Sequence, residues 1–199
     1  KFQDAAATTP VSSDGAPVGH WADQSGEGNN FTQSTAGKRP THQTSELDGN
    51  AVVRFDGVDD WLASSAAILN GSFTVFMVVK ATDATQRNGV WGQFSGGVDN
   101  RSYGAIHSDE GLGAVSARRF SLYIHHSTAV ALQPSEAVTT GGYYILTWIK
   151  DGTDSVYLYL NDKVAGRQVG TLPANIQQIA QTLGAAADAV IPADADVVE

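Results

Sequence analysis

The sequence predicts an all-β fold, an antiparallel β-sandwich or barrel, and three observations support this. Short apolar or alternating runs recur along the chain with turn residues between them, the pattern of strands joined by tight connections. Helical periodicity is nearly absent. The chain is rich in glycine, with 21 among 199 residues where an average globular domain has about 7%. It is poor in charged residues, at 17% against an average of about 25%. A chain of this length can form one turn-rich β-domain.

The predicted strands start after a polar first quarter of the chain. Residues 1–50 are rich in turn formers, so an ordered, loop-rich segment with one short strand is expected there. The stretch 173–182 is the only helical candidate, a turn or two long. Asn161–Asp162 predicts a hairpin over 155–169, because both residues tolerate the positive φ of a tight turn. The runs that predict strands are 51–55, 60–64, 73–80, 89–95, 102–107, 119–125, 143–150, 155–161, 163–169 and 195–199.

Alternation within these runs predicts which face of each strand is buried. In 119–125 and 155–161 every second residue is apolar, which indicates half-buried strands with a polar or aromatic outer face. The runs 73–80 and 143–150 are apolar on both faces, so we expect them at the centre of a sheet. Trp21, Trp61 and Trp148 are expected in the core.

Charge and cysteine content exclude several classes of function. The net charge is −9 and the basic pairs Lys38–Arg39 and Arg118–Arg119 are isolated, so the chain lacks the basic stripe of a nucleic-acid-binding protein. The same acidity argues against an anionic membrane surface. No apolar run approaches the ~18 residues of a membrane span, so membrane insertion is not expected. The chain has no cysteine, which excludes disulfides and thiolate metal sites.

Two motifs give the sequence a resemblance to a known family. Trp21 to Asn29 read W-x-D-x-S-G-x-G-N, and Arg54 to Asp60 read R-F-D-G-x-D-D. Together with the apolar runs that follow, they resemble the laminin-G-like or concanavalin-A-like jelly-roll domains of bacterial and phage surface proteins. The resemblance covers about residues 18–170. It implies a two-sheet antiparallel β-sandwich that often binds glycans, sometimes with calcium, in an extracellular, cell-surface or virion setting.

The resemblance also implies how the chain is organised. One jelly-roll domain is expected over residues 1–199, with 1–50 as its loop-rich beginning, 51–170 as its core strands and 171–199 as its closure. The segment "ADVVE" (195–199) is similar to the first half of the family's last strand. The closure is therefore expected to be truncated or to differ from that of the family.

Three carboxylates in the second motif form a candidate metal site. Asp56, Asp59 and Asp60 lie within five residues, and calcium binds six to eight oxygens, mostly from carboxylates and carbonyls. The alternative is a turn that Asp56 starts, in which Gly57 adopts a positive φ and Asp59 or Asp60 caps backbone N–H groups before Trp61. The spacing alone leaves both open, and no cofactor other than calcium is expected.

A catalytic role is the least favoured interpretation. Glucanases of the resembled fold carry E-x-D-x-x-E on one strand, where alternation brings two carboxylates to one face. Here Asp194, Asp196 and Glu199 give D-x-D-x-x-E. The first carboxylate is thus one methylene shorter, and catalytic placement tolerates little error. The alternative is a final edge strand, and we expect no enzyme.

The preferred candidate site is an aromatic and polar outer face of several strands. Trp91 opposes the core residue Val90 in the alternating run, and the other members are assigned in the same way. Sugars present apolar C–H faces and hydroxyl rims, so aromatic platforms beside polar groups suit them. The alternative is that this face packs under a long loop or against another subunit. The predicted glycan-binding residues are Trp91, Gln93, Tyr103, His107, Arg119, Tyr123 and His125.

The sequence therefore favours a non-catalytic, lectin-like recognition or adhesion module whose partner is a glycan or a cell-surface polysaccharide. A second hypothesis is a structural interaction module of a phage tail, a capsid spike or a bacterial surface protein, with other subunits as partners. A glycoside hydrolase or polysaccharide lyase is a third. Neither nucleic acid nor membrane insertion is expected.

Overall fold

The computed structural model describes residues 1–66, 71–81, 88–94, 101–107, 119–126, 128–132, 136–170, 181–186, 191–192 and 194–198. Within strands, only the backbone is described for residues 88, 93–94, 101–107, 121, 123–126, 128–131, 185–186, 191–192 and 194–198. Throughout these ranges no helix is long and apolar enough to cross a bilayer. A 3-10 turn at Ala36–Lys38 is the helical element that they contain.

Short β-strands account for most of the described chain. In chain order they are β1 (His20–Trp21), β2 (Phe31–Thr32), β3 (Thr41–Leu47), β4 (Asn50–Asp56), β5 (Leu62–Ser64), β6 (Phe73–Ala81), β7 (Asn88–Phe94), β8 (Arg101–His107), β9 (Arg119–His126), β10 (Thr128–Leu132), β11 (Tyr143–Asp151), β12 (Ser155–Leu160), β13 (Lys163–Val169), β14 (Gln181–Leu183), β15 (Ala185–Ala186), β16 (Ile191–Pro192) and β17 (Asp194–Val198).

Two antiparallel sheets face each other. One is eight-stranded, with the spatial order β1-β2-β5-β14-β7-β8-β9-β10, and the other is seven-stranded, with the order β13-β12-β11-β6-β17-β4-β3. Strands β15 and β16 form a small separate pair. Every strand pairing in both sheets is antiparallel. The predicted fold class, an antiparallel β-sandwich, is confirmed.

The inner faces of the two sheets form the hydrophobic core. Across it, the rings of Phe120 on β9 and Tyr144 on β11 meet edge to face, with 5.0 Å between centroids. Fully burying a large apolar side chain contributes roughly 1.5–3 kcal/mol, so these faces are the main source of stability. The largest fully buried apolar side chains are Trp148, Phe55, Phe120, Leu62, Leu122, Leu146, Leu158 and Leu160.

Local patterns located most of the strands. Each predicted run coincides with an observed strand to within two residues at either end, and the hairpin over 155–169 is confirmed, with Asn161 at φ 57°. The first quarter of the chain holds three strands, β1 to β3, where one was expected. Most of the helical candidate, 173–180, lies outside the described residues, and its last two positions begin β14.

One expectation about sheet position is wrong, and the central position predicted for β6 and β11 is confirmed. The last predicted strand, β17, was expected at an edge, yet it pairs with β4 on one side and β6 on the other. The apolar strands β6 and β11 are central, but they are not buried on both faces. Phe76 on β6 is 74% exposed and Ile145 on β11 is 50% exposed. Only the inner face of this sheet packs against the other sheet, so the outer apolar residues of β6 and β11 remain in solvent.

Candidate functional site

A trough runs along β11 on the outer face of the seven-stranded sheet. The strand register places Thr147 of β11 between Phe76 of β6 and Tyr159 of β12. Thr147 is only 8% exposed, whereas Phe76 is 74% exposed, so the small threonine forms a floor between two larger rings. Adjacent strands lie about 4.8 Å apart, which separates the backbones that carry the two rings by roughly 10 Å.

Simple alternation produces this trough. On β6, Val75 and Met77 pack against the core, and Phe76 between them therefore points outwards. On β11, Leu146 and Trp148 are fully buried, so Thr147 lies on the outer face. The trough is thus a direct consequence of residue size at outward positions of three neighbouring strands.

Two tyrosines form one wall of the trough. Tyr157 and Tyr159 are two residues apart on β12 and are half-buried, while the intervening Leu158 is buried in the core. Their ring centroids are 6.3 Å apart and the ring planes differ by 30°. The guanidinium group of Arg167 on β13 lies 5.4 Å from the Tyr157 ring centroid. The guanidinium therefore covers one face of Tyr157, and the two rings, at similar tilt, make an aromatic platform through the faces that remain.

The trough widens into a cleft of about 480 Å³ towards the turn between β11 and β12. Thr74 and Asp151 are exposed at its margin, so hydroxyl and carboxylate groups border the aromatic wall. Asp151 is the only carboxylate among the described lining residues. The cleft is lined by Ser72, Phe73, Thr74, Ile149, Lys150, Asp151, Tyr157 and Tyr159.

A buried lysine holds the end of this cleft in place. Lys150 is 1% exposed, and its Nζ donates to the carbonyls of Gly71 and Gly152. The backbone N–H of Gly152 donates to Ser72 Oγ over 2.8 Å. Burial lowers the pKa of Lys150. These contacts join the segment before β6 to the turn after β11, so the cleft margin is preorganised.

The arrangement has the components of a sugar-recognition site. Aromatic faces and flanking hydroxyl and charged groups are the components of a small-molecule binding site. Glycoside hydrolysis by the usual mechanism needs two carboxyl groups on either side of the scissile bond. Among the described lining residues the cleft offers Asp151 alone.

The predicted outer-face position of Trp91 is wrong. Trp91 is 2% exposed and its neighbour Val90 is fully buried. The register of β7 against β8 shifts between Gly89 and Trp91, so Val90 is an extra residue in a β-bulge. A bulge interrupts alternation, and both side chains consequently enter the core. A residue so deeply buried cannot stack on a sugar.

The other members of the predicted face lie on β7, β8 and β9. The backbone register sets Tyr103 opposite Tyr123, and His107 opposite Arg119. The side chains of Gln93, Tyr103, His107, Tyr123 and His125 lie outside the described residues. Arg119 is half-buried, and its Nε has no hydrogen-bond partner within the described structure. A glycan site on this face stays a prediction.

The three aspartates after β4 form a capped turn. Asp56 Oδ1 accepts from the backbone N–H groups of Val58, Asp59 and Asp60 at 2.9 to 3.3 Å. Asp60 Oδ2 in turn accepts from the N–H of Asp56 at 3.2 Å. Gly57 has φ 75°. The turn and its positive φ at Gly57 are therefore confirmed, but the principal capping acceptor is Asp56, where Asp59 or Asp60 was expected.

The same turn keeps a candidate metal-binding geometry. One carboxylate oxygen from each of Asp56, Asp59 and Asp60 lies within 4.8 Å of the others. Asp60 is 7% exposed, and burial, followed by the charge of Asp56, raises its pKa to about 6. Carboxylates so arranged fit a hard cation such as calcium, and calcium binding here stays a prediction.

Sequence reasoning missed the trough, although part of the signal was visible. The alternation of 155–161 already separates Tyr157 and Tyr159 from the core residues between them. The exposure of Phe76 could not be foreseen from the sequence, because a strand that is apolar on both faces is usually buried on both faces. Only the sheet order shows that β6 lies two strands from the tyrosines.

Comparison with known proteins shows the fold of the chain. No family model and no curated protein sequence matches it, so the resemblance to laminin-G-like and concanavalin-A-like domains stays a prediction. Several solved structures share its fold at low sequence identity. Domain 4 of AbnA, a GH43 extracellular arabinanase from Geobacillus stearothermophilus solved with arabinotriose, aligns with a TM-score of 0.58 at 12% identity and covers 80% of this chain and 75% of that one.

Two further structures are similar over most of this chain. Tailspike protein 2 of an Escherichia coli O157:H7 bacteriophage aligns with a TM-score of 0.59 at 14% identity, and the match covers 98% of this chain and 26% of the tailspike. A native heptameric SAP-like pentraxin from Limulus polyphemus aligns with a TM-score of 0.53 at 12% identity, covering 75% of this chain and 74% of the pentraxin. At such identities the comparisons establish a shared β-sandwich architecture.

Proposed function

We propose that this chain is a non-catalytic carbohydrate-binding module that holds a segment of a glycan or cell-surface polysaccharide in the trough along β11. The observation that carries the proposal is the pair Tyr157 and Tyr159, whose rings lie 6.3 Å apart on an outer sheet face, opposite the exposed ring of Phe76.

Binding in the trough follows from the chemistry of its walls. The C–H face of a sugar ring packs on the tyrosine rings, where aromatic contacts add about 0.5–1.5 kcal/mol beyond the area that they bury. Sugar hydroxyls meet Thr74 and Asp151 at the margin, and Arg167 beside Tyr157 offers further donors. Such a shallow surface favours weak, reversible binding of a polymer.

The structural comparisons support this proposal indirectly. The arabinanase domain of the same fold was solved with arabinotriose bound, and the tailspike belongs to a bacteriophage. A glycan-binding role at an extracellular, cell-surface or virion location agrees with both. Calcium at Asp56, Asp59 and Asp60 is not required for binding in the trough, because that turn lies on another part of the fold.

A second candidate function is an interaction module that packs against other subunits. Phe76, Ile145 and Val164 are 74%, 50% and 59% exposed, and exposed apolar groups on one sheet face are typical of surfaces that a partner covers. In this alternative the trough is closed by a protein chain. Binding to glycans and self-association therefore distinguish the two candidates.

The test is binding of the intact chain to a glycan array and to immobilised polysaccharides, with three matched tyrosine substitutions. Tyr157→Ala and Tyr159→Ala remove the proposed platform, and Tyr123→Ala addresses the predicted face of β7 to β9. We expect the first two to weaken binding at least about tenfold, the loss of roughly 1.4 kcal/mol, and the third to leave it unchanged.

Other results would overturn the proposal. If Tyr123→Ala alone abolished binding, the site would be the β7 to β9 face. If no glycan bound and the chain sedimented as an oligomer that Phe76→Ser converts to a monomer, the interaction module would be the function. Release of reducing sugar from a bound polysaccharide would contradict the non-catalytic assignment.

A further inference from the structure

A second concave site lies on the other sheet, at the edge formed by β1 and β2. Trp21 of β1 is register-paired with Phe31 of β2, and Leu183 of β14 contributes a third apolar side chain. Both aromatic side chains are half-buried. Together with the loop between the two strands they enclose a cleft of about 430 Å³, which we call the Trp21 cleft.

The loop that borders the Trp21 cleft is held by its own hydrogen bonds. Asp23 Oδ1 accepts from the N–H of Ser25 at 2.8 Å, and Oδ2 accepts from Ser25 Oγ at 2.7 Å and from the N–H of Asn29 at 2.9 Å. Asn30 Oδ1 accepts from the N–H of Asp23 at 2.8 Å. These hydrogen bonds, chiefly the one from Ser25 Oγ, lower the pKa of Asp23. The carboxylate is therefore committed to the loop, which is rigid before any ligand arrives.

What remains for a ligand is neutral and amphipathic. The side-chain amide of Asn29 lines the cleft and makes no hydrogen bond to any other described residue. Gln24 adds a second amide, which donates to the carbonyl of Ala22. The nearest described cation is Lys1, whose Nζ lies over the Trp21 ring at 5.7 Å from the centroid and bonds His42 Nδ1 at 3.1 Å. Among the described lining residues there is no lysine or arginine, so the walls of the cleft do not select an anion. The committed Asp23 carboxylate offers little to a cation.

We propose that the Trp21 cleft is a second saccharide-binding site, which takes a neutral sugar ring. The aromatic pair Trp21 and Phe31 packs on the C–H face of the sugar. The free amide of Asn29 carries both a donor and an acceptor, and so matches two neighbouring hydroxyl groups. This site is built on the eight-stranded sheet and does not depend on the trough of the seven-stranded sheet.

Two sites on opposite sheets change how the domain holds a polymer. Each site alone binds weakly, but a polysaccharide that occupies one presents its other units to the second at a raised effective concentration. A branched or bundled glycan suits this geometry, because separate chains can reach the outer face of one sheet and the β1–β2 edge of the other. Binding to polymer should therefore exceed binding to a short oligosaccharide, although the two sites share no contact.

The test is a titration of the ¹⁵N-labelled chain with a panel of neutral trisaccharides of arabinose, glucose, galactose, mannose and N-acetylglucosamine. The indole N–H signal of Trp21, identified by its loss in Trp21→Phe, reports the cleft. We expect one or more of these sugars to shift that signal in the wild type and equally in Tyr159→Ala, in which the trough platform is removed.

Asn29→Ala is the decisive variant, because the deleted amide supports no described contact and the fold should be unchanged. We expect it to raise the dissociation constant read from the Trp21 signal roughly fivefold, which corresponds to the loss of one neutral hydrogen bond. Binding in the trough should be preserved. An unmoved Trp21 signal with every sugar of the panel would overturn the second site. Undiminished affinity in Asn29→Ala, or loss of the Trp21 shift in Tyr159→Ala, would also overturn it.

Discussion

Trp91 and Trp148 pack against each other between the two sheets, with 6.0 Å between their ring centroids and 30° between their planes. Trp91 Nε1 donates to Gln181 Oε1 over 3.3 Å, and Gln181 Nε2 donates to the carbonyl of Ala66. The indole of Trp91 therefore joins β7, β14 and the segment after β5. A residue with these contacts stabilises the sandwich and does not contact ligand.

Replacing Trp91 should accordingly reduce stability. Trp91→Ala leaves a large cavity beside Trp148 and deprives Gln181 of its donor, so we expect a loss of about 3–5 kcal/mol in the free energy of unfolding, measured by urea denaturation. Tyr159→Ala removes a half-exposed ring and should cost about 1 kcal/mol or less. A Trp91→Ala chain that kept its stability and lost glycan binding would return Trp91 to the binding site.

Gly184 should not tolerate even a methyl group. Its φ is 75°, and a Cβ built on it would collide with the Phe55 ring. Gly184→Ala therefore combines backbone strain with overpacking. We expect it to lower the free energy of unfolding by about 2–4 kcal/mol. Gly49 is the matched control, because its φ is 84° and a Cβ there meets no atom within 4 Å. Gly49→Ala should cost about 1–2 kcal/mol. Equal thermal shifts in the two variants would show that the Phe55 contact is unimportant.

Local patterns could predict the strands but not their neighbours. Alternation in β12 identified Leu158 as buried and the flanking tyrosines as outward, and the structure agrees. The insertion of β17 between β4 and β6 joins residues that are more than a hundred positions apart. Nothing in the five residues of β17 encodes that partnership.

The candidate sites were predictable only where alternation was regular. The bulge at Val90 reverses the face assigned to Trp91, and a bulge is a property of the pairing with β8 that one strand does not reveal. The exposure of Phe76 could not be predicted for a related reason, since an apolar residue on a central strand is exposed or buried according to what covers the sheet. The Trp21 motif was visible as a fingerprint, but its cleft requires Leu183 of a distant strand.

The acidic turn should make stability depend on pH. The folded-state pKa of Asp60 is raised to about 6 from an ordinary 3.8, so the folded chain binds this proton more tightly than the unfolded chain. Its contribution is fully present below about pH 4 and is lost as pH rises through 6. We expect a decrease of about 1–2 kcal/mol in the free energy of unfolding, allowing for solvent screening. Asp60→Asn should remove this pH dependence, because an amide does not titrate. Its oxygen can still accept the hydrogen bond from the N–H of Asp56, so the turn should be kept.

Asp48→Asn is the control for this measurement, since Asp48 is exposed in the turn between β3 and β4, and it should keep the wild-type pH profile. Calcium alone adds a second readout. A bound ion favours the ionised aspartates, so millimolar calcium should raise the melting temperature near neutral pH and shift the pH dependence to lower values. An unchanged profile with calcium would assign the turn to capping only.

The last prediction concerns Lys150, which connects stability with the trough. Its buried ammonium donates to the carbonyls of Gly71 and Gly152, and Lys150→Met keeps most of the side-chain volume while removing that donor. Leaving these half-buried acceptors without a donor should lower the free energy of unfolding, measured in urea, by about 1–3 kcal/mol. The margin of the cleft near Ser72 should also loosen, so affinity for a trough ligand should fall even where the variant is fully folded. Lys163→Met, on the exposed edge strand β13, should change neither quantity. If Lys150→Met lost stability but bound glycan with unchanged affinity, the lysine would hold the turn without shaping the site.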